Sequence, residues 1–379
     1  NTAVSLAQNT ELNVIFFAGC GKACNKLVNS NVKVIELGMY DLLGNPSKID
    51  AVIKGIYNSK VSEKFSELLN TLDINETIVH IHTYTKVLTS AVFKAAHKAS
   101  IPVFVTVHDY FLACPNGGCF NYVKNKICEL KPMSLKCILC NCDSRNYVYK
   151  VWRCLRQFRQ NSVIRNNSEI NYIYISEFSK QQLKKRMPAV KNEYMLRNLI
   201  ECGERFRVKA EENELFLFIG RVSPEKGAEL FCRSVTKAGV KAVVIGDGSL
   251  RETLQKQYPD ITFTGWLDRA EINKWIRKTR CMIFSSLWYE TEGMTVPEVQ
   301  AYGIPCIVTD CCAASMYVTE ENGFVVNADA LYIADVIKNL NDNNIVKKLS
   351  ENTYDLFDDN RCKEKYYTDN LICIYNSLV

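Results

Sequence analysis

The sequence predicts an α/β protein: two domains, each a parallel β-sheet with helices on both faces. Three observations predict it. Short apolar, β-branched runs alternate with longer helical patterns along most of the chain, and unbroken apolar strands mark sheets covered on both sides. The 379 residues exceed what one ordinary core supports. The alternation pauses once, at 200–213, in a charged stretch without apolar period. The domain junction is placed there, giving a first domain at 1–200 and a second at 201–362. Residues 363–379 form a terminal helix that returns to the first domain.

The opening residues 1–8 read as the end of a helix, followed by a strand at 12–18. An α/β domain ordinarily opens on a strand and a turn, so an N-terminally truncated or processed chain is expected. Further strands follow at 32–37, 78–81, 103–107 and 172–175, with helices at 62–72 and 87–99 between them. In the second half, strands at 215–219, 242–245, 261–263, 281–284 and 306–308 alternate with helices at 227–238, 249–257, 269–278 and 295–302. An amphipathic helix at 363–378 closes the chain. One stretch breaks the pattern. Residues 110–146 are rich in Cys, Asn, Gly and Lys, without clear period. Such a long irregular insertion is usually functional or disordered. It leaves from the carboxyl end of the 103–107 strand, the edge where open α/β sheets bind ligands.

Composition narrows the class. Apolar residues at 47% and charged residues at 23% are globular proportions. No apolar run approaches the length of a membrane-spanning helix. No secretion signal is read at the start, so a cytoplasmic setting is expected, with the 17 cysteines mostly thiols. The net charge of +6 is local: residues 110–170 hold ten Lys or Arg against three acids.

The strongest chemical signal is Trp288-Tyr289-Glu290-Thr291-Glu292-Gly293-Met294-Thr295-Val296-Pro297-Glu298, between a strand and a helix. Glycine permits close backbone approach, and the N–H groups of a helix start attract anions. Two carboxylates beside an anion site suit a sugar joined to a phosphate; otherwise Glu298 favours the helix dipole and Glu290 is solvated. The second signal is Gly220-Arg221-Val222-Ser223-Pro224-Glu225-Lys226-Gly227, where a strand end carries two cations suited to a diphosphate. Gly246-Asp247-Gly248 adds a tight strand-to-helix turn.

In this order, with Phe263-Thr264-Gly265 and Ala301-Tyr302-Gly303-Ile304-Pro305 added, the motifs resemble glycosyltransferase family 4. The match is dense over 216–327. It continues loosely through His80-Ile81-His82-Thr83, Thr106-Val107-His108-Asp109-Tyr110 and Tyr174-Ile175-Ser176-Glu177-Phe178-Ser179. The resemblance implies the GT-B fold, two Rossmann-like domains facing across a cleft, with the first strand and its glycine-rich loop missing here. It implies retaining transfer from a UDP- or GDP-linked sugar to a saccharide or lipid-linked acceptor, in surface polysaccharide or glycolipid assembly. Arg221 and Lys226 would hold the diphosphate, Glu290 the transferred sugar and Glu298 the ribose. Gly220, Gly246, Gly293, Met294 and Thr295 would complete the donor site, and His108 would face the sugar from the first domain. The chain departs from the family pattern at Asp310-Cys311-Cys312-Ala313-Ala314-Ser315, where many relatives carry Gly-Gly and an acid. No Asp-x-Asp occurs, so no metal is expected in catalysis.

Other function classes stand beside this reading. A sugar-nucleotide epimerase on the same scaffold would need acid and base groups, and the chain has only four histidines. A non-catalytic binding module would use the cysteine segment, but retention of Arg221, Lys226, Glu290 and Glu298 together disfavours it. Nucleic-acid binding lacks any recognised module. Cys114, Cys119, Cys128, Cys137, Cys140 and Cys142 fall within 29 residues. The Cys137-x-x-Cys140 spacing fits half of a zinc site, so Cys128, Cys137, Cys140 and Cys142 are a candidate structural zinc set, with thiols and disulfides as the alternatives. After it, Lys150, Trp152, Arg153, Arg156, Phe158, Arg159 and Arg165 form a basic, aromatic stretch. It either rests on an anionic bilayer at the inner face of the membrane or forms a solvated basic face.

Overall fold

The structure is a computed structural model of the 379-residue chain and describes residues 1–165, 170–188 and 190–377. Leu378, the end of the expected tail helix, lies outside the described residues. The chain divides into two units: Asn1–Gly118, Glu129–Arg197 and Lys363–Val379 form the first, and Cys119–Cys128 with Asn198–Cys362 the second.

In unit 1, β1 (Ile15–Ala18) and β2 (Lys33–Glu36) form a parallel pair. The strands β3 (Val79–Ile81) and β4 (Val103–Val107) belong to a second sheet. A short hairpin, β5 (Phe120–Asn121) and β6 (Lys126–Ile127), follows and groups with unit 2. The strands β7 (Ile170–Tyr174) and β8 (Asn192–Met195) complete a four-stranded parallel sheet in the order β3-β4-β7-β8. β4 and β7 are buried at every position, as their unbroken apolar reading requires. The Thr2–Asn9 helix packs on the Glu364–Asn376 helix of the same unit, where the Ser5 and Thr368 hydroxyls meet at 2.6 Å.

Unit 2 is one six-stranded parallel sheet: β9 (Leu215–Ile219), β10 (Ala242–Ile245), β11 (Thr262–Gly265), β12 (Thr279–Phe284), β13 (Cys306–Thr309) and β14 (Gly323–Val326). The spatial order β11-β10-β9-β12-β13-β14 reverses between β9 and β12, and such a reversal opens a crevice at the strands' carboxyl ends. Leu217, Val243, Met282, Ile283, Ile307 and Val308 are completely or almost completely buried, each stabilising the fold by roughly 1.5–3 kcal/mol. Cys232, Cys281, Cys306 and Cys312 lie in the same core as small hydrophobes. Cys202 and Cys362 form a disulfide, with Cα atoms 5.9 Å apart.

The irregular insertion owes its shape to the Tyr147–Arg165 helix, which buries its polar side. Arg156 Nη2 donates to the Pro115 carbonyl (3.0 Å), Gln157 Nε2 to Leu112 (3.2 Å) and Gln160 Nε2 to Phe111 (2.9 Å). These bonds satisfy carbonyls that a strand or helix would otherwise pair. Two expectations fail here. Lys150 and Arg156, read as a solvated or lipid-facing charge, are buried. The zinc set is not assembled either. Among the described residues no three His, Cys, Asp or Glu side chains are placed to hold a metal ion. Cys128 groups with unit 2, whereas Cys137, Cys140 and Cys142 are in unit 1. The Lys150 ammonium sits 3.5 Å from Cys137 Sγ, and Asn116 Nδ2 is 3.1 Å from Cys142 Sγ. Burial opposes the Lys150 charge, but the surrounding thiols Cys142, Cys137, Cys154 and Cys114 outweigh it and hold its pKa above the ordinary value. A second cation would meet that charge at close range.

Candidate functional site

The reversal point of the second sheet gathers the loops after β9 and β12. The β9 loop turns at Gly227, with φ +67° and a backbone so close to β12 that a Cβ would stand 1.7 Å from the Ser285 carbonyl oxygen. Ser285 Oγ donates to the Gly227 carbonyl (2.8 Å), and the Leu287 N–H to that of Glu225 (2.9 Å). The Glu225 carboxylate, buried, accepts from Ser223 Oγ (2.8 Å) and faces Arg221 Nη1 at 3.5 Å. On the opposite flank, Gly220 and Gly246 stand at the ends of β9 and β10. The Gly246 φ is +135°, and a Cβ there would lie 2.0 Å from the Gly220 carbonyl oxygen.

This stitching brings Lys226 to Glu290. The ammonium donates to Glu290 Oε1 and lies over the Trp288 ring, 5.1 Å from its centroid. Lys226 is 21% exposed and the Glu290 carboxylate 10%. The Ala313 N–H donates to the Glu290 carbonyl (3.3 Å), which ties the site to the 310–315 loop. Arg221 is 65% exposed, its nearest carboxylate contact being Glu225.

Gly293, with φ +76°, leads into the Thr295–Gln300 helix, whose first turn includes the Met294 carbonyl accepting from Glu298 N–H (3.1 Å). Two polar atoms here are buried without a hydrogen-bond partner: Thr295 Oγ1 and Trp288 Nε1. Glu298 receives Arg269 Nη1 at 2.8 Å, and Arg269 also donates to the Glu201 carbonyl. Lys226 and Glu290 are therefore joined directly, whereas Glu298 is engaged with Arg269 and Arg221 reaches solvent.

One member of the motif carries a role that its sequence context did not disclose. Glu292 is 2% exposed. It accepts from Arg361 Nη2 (2.8 Å), the Tyr317 hydroxyl (3.1 Å) and Asn198 Nδ2 (2.6 Å). Burial raises its pKa, while Arg361, Asn198 and Tyr317 pull it down. It fastens the two ends of unit 2 to the loop that bears Glu290.

In unit 1, His82 and His108 extend past β3 and β4, with His82 Nδ1 and His108 Nε2 3.0 Å apart. His80 is held at both nitrogens, by the Tyr375 hydroxyl (2.6 Å) and Thr106 Oγ1 (2.7 Å). Burial, with His108 nearby, holds the His80 pKa down at about 3. It depresses those of His82 and His108 as well. Near neutral pH the cluster is uncharged.

Comparisons with known proteins agree with this architecture. The family described as Glycosyl transferases group 1 matches residues 213–343. A GDP-mannose-dependent alpha-mannosyltransferase of Corynebacterium glutamicum is 31% identical over 90 residues, 24% of this chain and 22% of that protein. The aligned segments span between 22% and 62% of the curated relatives' lengths, short of two thirds in each. Among solved structures, a sucrose-phosphate synthase from Thermosynechococcus elongatus superposes with a TM-score of 0.68 at 14% identity, covering 100% of this chain and 91% of that one. The Anabaena Alr3699/HepE complex with UDP and glucose gives 0.65 at 14%, covering 99% and 94%.

Proposed function

Because residues 213–343 are a glycosyl transferases group 1 domain within a GT-B fold, we propose that the chain is a retaining glycosyltransferase. It takes a sugar from a UDP- or GDP-linked donor to an acceptor hydroxyl, in surface polysaccharide or glycolipid assembly. One observation carries this reading: Lys226 and Glu290 meet at the point where the strand order of the second sheet reverses. The relatives' names support the donor class, since one is GDP-mannose-dependent and another was solved with UDP and glucose.

In this proposal Lys226 and Arg221 hold the diphosphate and stabilise the charge that grows on it as the glycosidic bond breaks. Both cations precede the reaction, so no metal is needed for that task. Glu290 holds hydroxyls of the transferred sugar, and its bond to Lys226 orients the carboxylate. Glu298 takes the ribose, with Arg269 fixing its rotamer. Backbone groups of Gly293, Met294 and Thr295 cap the phosphate or the sugar, and Gly220 and Gly246 leave room for the donor. The acceptor oxygen attacks on the face from which the phosphate departs, and its proton passes to a departing phosphate oxygen. His108 is the group of unit 1 assigned to the transferred sugar. Being neutral, it would act as a hydrogen-bond partner.

Thermal stabilisation by a panel of UDP- and GDP-sugars tests the reading. Lys226→Ala is expected to weaken every donor and also UDP or GDP alone, and Glu298→Ala to weaken all nucleosides. No shift with any nucleotide would overturn the assignment in favour of a binding module.

A further inference from the structure

The two ends of unit 2 meet in a covalent clamp. Cys202 and Cys362, 160 residues apart in sequence, are bonded, and the Ile200 N–H beside them donates to the Arg361 carbonyl (2.9 Å). Neither segment is regular. Residues 198–204 form no helix or strand, and no residue of the Asp359–Cys362 turn is fully buried. A covalent link that closes so long a loop removes far more chain freedom than the hydrogen bond next to it.

Each cysteine adjoins a residue that leads to one carboxylate of the motif. Next to Cys202, the Glu201 carbonyl accepts from Arg269 Nη2, and Arg269 Nη1 donates to Glu298 (2.8 Å). Next to Cys362, Arg361 Nη2 donates to Glu292 (2.8 Å), on the loop that bears Glu290. Asn198 holds Glu292 from the other segment, by Nδ2 (2.6 Å) and by its backbone N–H (3.4 Å). A shift of either segment therefore reaches Glu298 through Arg269, or the Glu290 loop through Glu292. Both cysteines are half-buried, and Glu201, Gly203 and Lys363 beside them are exposed, so thiols in solution reach the bond. Given the donor site proposed above, on which this inference rests, we propose that the Cys202–Cys362 bond is a redox latch on that site. Oxidised, it holds the two carboxylates in place; reduced, it releases both segments and weakens nucleotide binding. The reductant is a dithiol. Its thiolate attacks one sulfur, the S–S bond breaks and a mixed disulfide forms; its second thiol then displaces the remaining protein sulfur and closes the reductant's own disulfide. Two electrons and two protons pass to Cys202 and Cys362, which end as thiols.

Peptide mapping of the full chain without reductant should find Cys202 joined to Cys362. Titration calorimetry then compares UDP and GDP binding before and after treatment with dithiothreitol. Reduction is expected to weaken both nucleotides by about fivefold or more, with circular dichroism unchanged. Cys202→Ser/Cys362→Ser should bind like the reduced parent and ignore dithiothreitol, which separates this bond from the other cysteines. Amide exchange gives a readout that needs no nucleotide: protection at 198–202 and 288–298 should fall on reduction, while that of β9 and β10 holds. Cys202 and Cys362 recovered unlinked, affinities within about twofold in the two states, or a serine pair that still responds to dithiothreitol would overturn the latch. Absence of nucleotide binding in both states would instead sink the transferase reading; the latch is then judged by exchange, and unchanged protection on reduction overturns it.

Discussion

Replacing Lys226 by methionine keeps most of the side-chain volume and removes the charge. With Lys226 21% exposed and Glu290 10%, neither group is screened as at an open surface. A hydrogen bond from an ammonium to a diphosphate oxygen in such a place contributes roughly 1.5–3 kcal/mol. The change also strips Glu290 of its partner. Its carboxylate then repels the incoming diphosphate, by about 3 kcal/mol for unit charges ~5 Å apart at an effective dielectric near 20. Together the loss is about 4–6 kcal/mol, a weakening of roughly 10³-fold or more. Lys226→Met/Glu290→Gln removes the repulsion and should recover about half of that loss, so the two substitutions are strongly non-additive. Titration calorimetry with UDP and with GDP reads both quantities without needing the acceptor. Lys226→Met binding within about threefold of the parent, or a double variant no better than the single, would refute the argument.

Gly227→Ala places a methyl group against the Ser285 carbonyl and forces a left-handed φ of +67° on alanine. A loss of about 3 kcal/mol or more is expected in urea denaturation, beyond the 1–2 kcal/mol of the backbone term alone. Arg361→Met leaves Glu292 buried without its cation and should cost about 3–5 kcal/mol near neutral pH. Because the Glu292 pKa is raised by burial, its contribution favours the fold at acid pH and is lost as pH rises through its folded value. The Arg361→Met penalty should therefore shrink on acidification, and Glu292→Gln should relieve it, both checked by denaturation at pH 5 and pH 8. His80 behaves oppositely: with its pKa held at about 3, its stabilisation is present above the ordinary value and is lost as pH falls towards 3. His80→Asn should flatten that part of the acid-unfolding profile.

How much could be read in advance follows from how far apart the partners lie in sequence. The strands of the second sheet other than β14 are legible because their residues are mainly apolar, with a glycine closing β9, β10 and β11. The loops after β9 and β12 were legible as contiguous motifs, although only the strand order shows that they are neighbours. β8 escaped notice: Asn-Glu-Tyr-Met has no apolar run, and its pairing with β7 is what makes it a strand. Glu292 could not be distinguished from Glu290, since its partners Asn198 and Arg361 are 94 and 69 residues away. The basic helix misled for a physical reason. Its charge reads as exposure, but Arg156, Gln157 and Gln160 are spent on the carbonyls of Pro115, Leu112 and Phe111. The same bonds anchor the first residues of the Cys-rich segment.

The grouping of Lys363–Val379 with unit 1 has a consequence for biosynthesis. The Tyr375 hydroxyl that fixes His80, and the Thr368 hydroxyl that meets Ser5, are translated only after the whole of the six-stranded sheet. On the ribosome the second unit can close while the first still waits for its final helix, an inversion of the usual N-terminal-first order. Until then the Thr2–Asn9 helix lacks the partner against which it packs.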